Sequence, residues 1–294
     1  MFVAQLLLNS LALGSAYALA ALGFVLILNS TGAVNFAQGD TVMVGGFLAA
    51  ALATVLPTTL ALPGLILLPL VMVSMAAFGL VFAWVAYLPL KNRPPVTVFI
   101  STIAVGIILA NGANAIFGAA PRAGPPLIYG GQVELGGLAL SRQSVSIVIV
   151  ASLLIVCLWF MLQRTQLGRK LRATAQDAEM ARALGIRVVA MTGLSFALAM
   201  AMAGAAGLLL ANQFFVSASD GGAFMLKAYI AVTIGGWGRL SGAVLGAMLI
   251  ALFEVGVAAW ASYPVAEGLL YFCLIAILLL RPQGLLGEAA KHRA

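Results

Sequence analysis

The sequence predicts an all-α polytopic membrane protein with about eight to ten transmembrane or half-spanning helices. Of its 294 residues, 63% are apolar with glycine left out of the count, and only 8% are charged. Soluble domains are about 25% charged, so this chain has too little polar surface to cover a globule in water. Long runs contain no Asp, Glu, Lys or Arg, namely 1–39, 41–90, 94–121, 143–163 and 188–219. Since a spanning helix needs about 20 mostly apolar residues, these runs predict membrane helices.

The basic residues predict the orientation of the chain. They concentrate at Lys91 and Arg93, in the segment 164–187 and in the tail after residue 280. Basic loops stay in the cytoplasm, so these three places should share one side, with 119–142 outside. Spans are predicted near 5–28, 65–88, 95–118, 143–163, 188–212, 222–236, 240–260 and 264–280. Residues 41–56 are short for a crossing and predict a tilted span or a half-helix. The sequence leaves the side of the amino terminus open.

The chain is predicted to be a single transmembrane domain, 1–294. The cytoplasmic segment 164–187 separates a first half, 1–163, from a second half, 188–280, and 281–294 is a cytoplasmic tail. Each half contains a glycine-spaced break that opens a helix, Gly32/Gly39 in the first and Gly235/Gly242 in the second. Interrupted hydrophobic segments in corresponding positions of two halves point toward a substrate path, although glycine-rich membrane chains also produce such matches by chance.

Small residues recur at helical spacing in the second half. Gly242-xxx-Gly246 and Ala199-xxx-Ala203-xxx-Gly207 place small side chains on one helical face. This spacing lets helix backbones approach closely. We therefore interpret these residues as packing positions without a chemical role.

Signatures of enzymatic chemistry are missing from the sequence. No lysine follows a glycine, so the chain has no phosphate-binding P-loop. The one histidine, His292, is in the tail, and the candidate acids for aspartyl chemistry, Asp40 and Asp220, sit at segment ends. Cys157 and Cys273 have no metal-ligand spacing. We predict no catalytic residues, no metal, no cofactor and no nucleic-acid partner.

The segment Arg169–Ile186 combines good helix formers with charge on the basic side. Five alanines and two leucines favour a helix, and Gly185 is placed to end it in a left-handed turn. Two interpretations remain open from composition alone. The helix could lie on anionic lipid headgroups, or its small-residue face, with Asp177 and Glu179, could fit into a groove of a partner protein.

Several motifs resemble a known transporter family. Glu179-Met-Ala181-x-x-x-Gly185 resembles the EAA-x3-G loop of ABC importer permeases, with Met180 in place of the usual second residue. The run Thr31–Asp40 resembles the N-F-A-[HQ]-G segment of LivH-type branched-chain amino-acid permeases. Further similar segments, in the family's order, are Thr174–Ile186, Leu226–Gly236, Gly242–Gly246 and Arg281–Gly287. The resemblance runs over nearly the full chain.

This resemblance implies an ABC importer permease of the LivH/LivM type. Such a permease pairs with a LivM-like subunit, two cytoplasmic ATPases and a periplasmic substrate-binding protein in the bacterial inner membrane. It imports branched-chain or related hydrophobic amino acids, and similar families import urea, amides or aromatic acids. The residues expected to couple the ATPases are Arg169, Arg172, Asp177, Glu179, Ala181 and Gly185. The sequence does not say which small molecule is carried or whether the permeases form a hetero- or homodimer.

Polar residues inside apolar segments are candidates for the translocation path. Asn35 and Gln38 lie in the first break, and Asn111 and Asn114 share a helical face. Amide side chains can bind a zwitterion or another helix. Lys227 and Glu254 are ionisable groups within apolar segments, which is costly unless they are paired, so we expect them to meet across the bundle and hold the second break.

Two rival functions predict different sequence features. A stand-alone secondary transporter or channel should carry intramembrane carboxylates for ion coupling, and this sequence has no acidic cluster. A membrane scaffold would support no transport.

Overall fold

The structure is a computed structural model that describes residues 2–55, 63–129, 131–135, 138–280 and 284. Among them, nine helices form the membrane bundle: α1 (Phe2–Thr31), α2 (Gln38–Ala53), α3 (Pro63–Phe82), α4 (Pro95–Phe117), α5 (Arg142–Arg164), α8 (Val188–Phe214), α9 (Asp220–Gly235), α10 (Leu240–Trp260) and α11 (Tyr263–Leu280). Two further helices, α6 (Gln166–Gln176) and α7 (Ala178–Ala183), connect α5 to α8. The predicted all-α membrane fold is confirmed.

Helix lengths divide the bundle into two kinds of element. Seven helices are long and apolar enough to cross a membrane, with α3 extended to Leu90 by a π-helical turn and a 3-10 turn. α2 and α9 have 16 residues each, about 24 Å at 1.5 Å per residue. The predicted short element at 41–56 is α2, whereas residues 56–62 lie outside the described part of the chain. A β-hairpin, β1 (Gln132–Leu135) and β2 (Leu138–Ser141), lies between α4 and α5.

The bundle has a basic end and an opposite end. A cavity of about 540 Å³ is lined together by the last residues of α1, by Lys91 after α3, by Thr174 of α6 and by Arg182 of α7. We call this the basic end. The amino-terminal parts of α1 and α5 lie together at the opposite end, where the Ser144 hydroxyl donates to Oδ1 of Asn9 at 3.4 Å. The tail 281–294, apart from Gly284, lies outside the described residues.

The same order of long and short helices occurs twice along the chain, and the second set crosses the bundle in the opposite direction. A long helix, a 16-residue helix and two further long helices follow one another as α1–α4 and again as α8–α11. α1 packs on α10 as α8 packs on α3, and both α1 and α8 are almost entirely buried. Since α1 ends at the basic end and α8 begins there, the two sets run in opposite directions, as in inverted-repeat transporters.

The order of the helices shows that the two predicted breaks do not lie at equivalent positions in the two halves, so this prediction was wrong. The turn after α1 contains Gly32 and precedes a short helix, whereas Gly236 and Gly238 lie in the turn after a short helix, α9. The segment equivalent to 32–37 is therefore 215–219, between α8 and α9. Glycine spacing alone misaligned the halves, because a left-handed backbone favours glycine at both kinds of turn.

Candidate functional site

Two short helices begin inside the bundle and meet at their amino termini. Gln38, the first residue of α2, is fully buried, and its Nε2 donates to the carbonyl oxygen of Ala20 at 3.4 Å. Ala20 lies about three turns before the end of α1, so α2 begins about 16 Å from the basic end. α9 begins at Asp220, and a Cβ atom on Gly39 would overlap the carbonyl oxygen of Gly221. We call this backbone contact the half-helix junction.

The turn between α1 and α2 is held by its own polar side chains. Gly32, with φ +67°, follows α1 in a left-handed conformation, which costs glycine little. Oδ1 of Asn35 accepts a hydrogen bond from the backbone N–H of Ala37 at 3.2 Å, and Nδ2 of Asn35 donates to Oε1 of Gln38 at 3.4 Å. Asn35 and Gln38 thus contact each other and the backbone, and a role in translocation stays a prediction.

The other two predicted path residues lie elsewhere. Asn111 and Asn114 are exposed on α4, and Nδ2 of Asn111 donates to the carbonyl oxygen of Ile107 in its own helix at 2.8 Å. The structure therefore does not bring the four predicted amides into one cavity. An exposed amide on a membrane helix is energetically costly in lipid. Lipid is therefore an unfavourable neighbour for this face of α4.

A cavity of about 570 Å³ lies at the half-helix junction, and we call it the junction cavity. It is bounded by the start of α2, one face of α4 and one face of α9. The residues that line it are Phe36, Asp40, Ile103, Gly106, Ile107, Ala110, Gly222, Met225, Leu226 and Tyr229. Asn111 and Asn114 continue the α4 face that lines the cavity one turn farther toward the opposite end.

Asp40 contributes the carboxylate of the junction cavity. A Cβ atom on Gly106 would lie 2.5 Å from its Oδ2, and one on Gly221 would overlap its Oδ1. The carboxylate therefore occupies space that two glycines leave open. Sequence reasoning treated Asp40 only as an acid at a segment end. The available signal was that Asp40 is the one charged residue in the first 90 positions.

The two predicted intramembrane charges are in contact. Nζ of Lys227 on α9 lies 2.8 Å from Oε1 of Glu254 on α10, and both side chains are buried. The same ammonium donates to the hydroxyl of Tyr17 at 3.0 Å and to that of Tyr263 at 2.6 Å, while Tyr17 donates to Oε2 of Glu254 at 3.1 Å. We call these four residues the ion-pair cluster. It joins α1, α9, α10 and α11, and so links the second half to the first.

The predicted coupling segment forms two helices rather than one. α6 ends at Gln176, and Asp177 interrupts the helix with an extended backbone, φ −154° and ψ 103°. Its Oδ1 accepts hydrogen bonds from the N–H groups of Glu179 and Met180, both at 2.9 Å, and so caps α7. The prediction of a continuous helix was wrong, because an aspartate that caps a new helix competes with continuation of the old one.

The end of α7 is as predicted. Gly185 has φ +80°, and the N–H groups of Gly185 and Ile186 donate to the carbonyl oxygens of Arg182 and Ala181, both at 3.0 Å. This is the Schellman arrangement that satisfies the last helical carbonyl groups.

α7 presents apolar side chains to solvent at the basic end. Met180 is 60% exposed and Leu184 is 73% exposed, although the neighbouring Ala181 is buried. Arg169 is exposed on α6, and a guanidinium nitrogen of Arg172 donates to Oε1 of Gln163. α6 packs against α5, α1 and α8, so the segment is fixed to the bundle at α6 and open at α7.

These features together define a polytopic transport protein with an inverted repeat, two half-helices and an exposed loop helix. The family model described as "Branched-chain amino acid transport system / permease component" matches residues 6–279. The chain therefore belongs to the branched-chain amino acid transport permease family.

Individual relatives cover nearly the whole chain. The high-affinity branched-chain amino acid transport system permease protein BraD of Pseudomonas aeruginosa is 33% identical, over 97% of this chain and 95% of the relative. LivH of Escherichia coli K12 is 30% identical, over 98% and 96%. The autoinducer 2 import system permease LsrC of E. coli is 36% identical over only 34% of this chain and 30% of its own length. No solved structure matches this chain significantly.

Proposed function

We propose that this chain is one permease subunit of a binding-protein-dependent ABC importer for branched-chain or related hydrophobic amino acids. ATP hydrolysis takes place on two separate cytoplasmic ATPase subunits. A periplasmic binding protein delivers the substrate across a bacterial inner membrane. The chain itself contributes the passage and the contact with the ATPases, and carries out no catalysis.

The exposed apolar surface of α7 is the observation that carries this proposal. Met180 projects from α7 and Leu184 from its C-cap position, and the helix is capped at both ends and held at the basic end. A six-residue helix of this kind is not stabilised by its own length, so its caps and the packing of α6 keep it in place. Such an apolar projection suits the groove of a soluble partner. A helix lying on lipid headgroups would instead need its apolar side turned toward the membrane.

A second, LivM-like permease would cover the face formed by α4 and α9. Asn111 and Asn114 are exposed there, and the junction cavity opens on the same face. Amide groups exposed to lipid are unfavourable, whereas a homologous subunit or a water-filled path between two subunits would solvate them. The translocation path then runs along α4 from Asn114 and Asn111 to the junction cavity.

The substrate assignment is tested with the binding protein of the same system. Calorimetry of that protein with leucine, isoleucine and valine should give binding. Binding of urea, an amide or an aromatic acid in their place would favour the alternative importers. Uptake by the chain without any ATPase would instead identify a stand-alone secondary transporter.

Substitutions in α7 should uncouple the ATPases from transport. We expect Glu179→Arg, and separately Gly185→Val, to lower ATP-driven uptake at least about tenfold in proteoliposomes while the permease still inserts into the membrane. The first reverses the charge at position 179 in α7, and the second places a β-branched residue at φ +80° just after α7, which is strained.

Asn92→Arg is the matched control. It introduces the same arginine side chain at the basic end, in the turn between α3 and α4, where a neutral side chain is replaced, and should leave uptake within about twofold. Met180→Cys should place a thiol on α7 that can be crosslinked to an ATPase subunit. Normal uptake by both α7 variants would contradict the coupling role.

A further inference from the structure

Asp40 differs from the other acidic side chains of the bundle in lacking a partner. Glu254 pairs with Lys227, Glu267 accepts a hydrogen bond from Tyr271 at 3.0 Å, and Asp220 accepts one from the N–H of Ser217 at 2.7 Å. Within the described residues, the Asp40 carboxylate makes no hydrogen bond or ion pair with another residue. A carboxylate left without a partner inside a membrane protein is costly, and its position in a cavity indicates that a ligand supplies the partner.

The lining of the junction cavity restricts the chemistry of that ligand. Apart from Asp40, the surface is mainly apolar, with Phe36, Ile103, Ile107 and Met225 around the carboxylate. A metal cation would require about six oxygen ligands, which this lining does not supply. A single carboxylate in apolar surroundings instead suits an ammonium group attached to a hydrocarbon body.

The half-helix junction supplies hydrogen-bond donors for an acidic group on the same ligand. The first N–H groups of any helix lack partners within it, and the side chain of Ser219, the N-cap residue of α9, accepts no hydrogen bond from them. Gly222, in the first turn of α9, lines the cavity directly. Half-helix amino termini of this kind favour substrate carboxylates in transporters. Asp40, which would pair with an ammonium group of the ligand, thus lies on α2. The N–H groups that would bind a carboxylate of the same ligand lie at the start of α9.

We propose that the junction cavity binds an amphipathic amine, an aliphatic α-amino acid in particular, with Asp40 pairing to its ammonium group. Gly106 and Gly221 make room for the carboxylate of Asp40, and the apolar lining takes the hydrocarbon side chain. A volume of about 570 Å³ is within the range of small-molecule sites, about 300–1,000 Å³. This inference rests on the proposed import of amino acids and assigns the selection of the ammonium group to this chain.

Uptake by the complete importer tests the role of Asp40. We expect Asp40→Asn, which removes the charge at nearly constant size, to lower ATP-driven leucine uptake at least about tenfold at saturating loaded binding protein; tenfold corresponds to about 1.4 kcal/mol. Glu267→Gln is the matched control. It removes the charge of a carboxylate on α11 that does not line the cavity, and the amide oxygen can still accept from Tyr271, so uptake should stay within about twofold.

A binding measurement on the full chain in nanodiscs separates this inference from the proposed function. 3-Methylbutylamine should raise the Tm of the wild-type chain, 4-methylpentanoate should raise it less, and Asp40→Asn should abolish the effect of the amine. Absence of an amine effect on the wild type, an equal effect of both probes, or an unchanged effect in Asp40→Asn would overturn the site. If the wild-type importer carries no amine-bearing substrate while the amine effect depends on Asp40, the proposed function fails and the site stands.

Discussion

Glu254→Gln should lower the free energy of unfolding by about 3–5 kcal/mol, because it leaves the Lys227 ammonium buried without its counter-charge. Nζ of Lys227 lies 2.8 Å from Oε1 of Glu254, and both side chains are at most 3% exposed. Lys227→Met alone should cost a similar amount, since it leaves the carboxylate unpaired. Unfolding of the purified chain in detergent, followed by circular dichroism, measures each loss.

The double variant Lys227→Met/Glu254→Gln distinguishes a pair from two independent groups. Replacing both partners removes the unpaired charge, so we expect a loss smaller than the sum of the single losses by more than about 1 kcal/mol. Glu267→Gln is the control, because its oxygen lies 4.0 Å from Nζ of Lys227 and the side chain is partly exposed; it should cost less than about 1 kcal/mol. Additive losses would contradict a cluster that holds α9 and α10 together.

Gly39→Ala should destabilise the half-helix junction by about 1–3 kcal/mol or more, because overpacking forces backbone shifts. Its Cβ atom would overlap the carbonyl oxygen of Gly221 and the backbone nitrogen of Met225. Neither group can rotate away, unlike the end of a flexible side chain. The displacement of α2 from α9 should also reduce uptake, since it changes the junction cavity. Thermal unfolding and uptake are measured on the same preparation.

Gly112→Ala is the corresponding control for this prediction. Gly112 lies inside α4, and no atom outside its own helix lies within 4 Å of a Cβ built there. Alanine favours a helix over glycine by up to about 1 kcal/mol, so this variant should be neutral or slightly more stable. Equal stability of Gly39→Ala and Gly112→Ala would contradict the close backbone approach at the junction.

The positions of the membrane helices could be predicted from the sequence because each follows from local composition. The predicted spans at 143–163 and 240–260 correspond to α5 and α10 within one residue at either end. The length of a charge-free run reflects the thickness of the bilayer, so no tertiary information is needed. The end of the coupling segment at Gly185 could likewise be predicted from local sequence, because a left-handed backbone conformation favours glycine.

Relations between distant segments were predicted less well. The charges of Lys227 and Glu254 indicated that the two residues would meet, since burial of either alone is costly. Nothing in the sequence indicated that Tyr17 and Tyr263 would join the ion-pair cluster. The alignment of the two halves by glycine spacing was wrong. The break at Asp177 was missed, because alanines around it favour a helix on both sides.

The sequence by itself determined that this chain is a membrane bundle, where its helices lie and which loops share one end, because hydrophobicity and charge act on each segment separately. Only the tertiary structure decided that α2 and α9 start in the interior and meet. That arrangement depends on backbone contacts between glycines far apart in the chain, such as Gly39 and Gly221. It also decided that Asp40 faces a cavity while Asn35 and Gln38 are buried and hydrogen-bonded to each other and to the backbone, since the direction of a side chain in a broken helix is set by the turn before it.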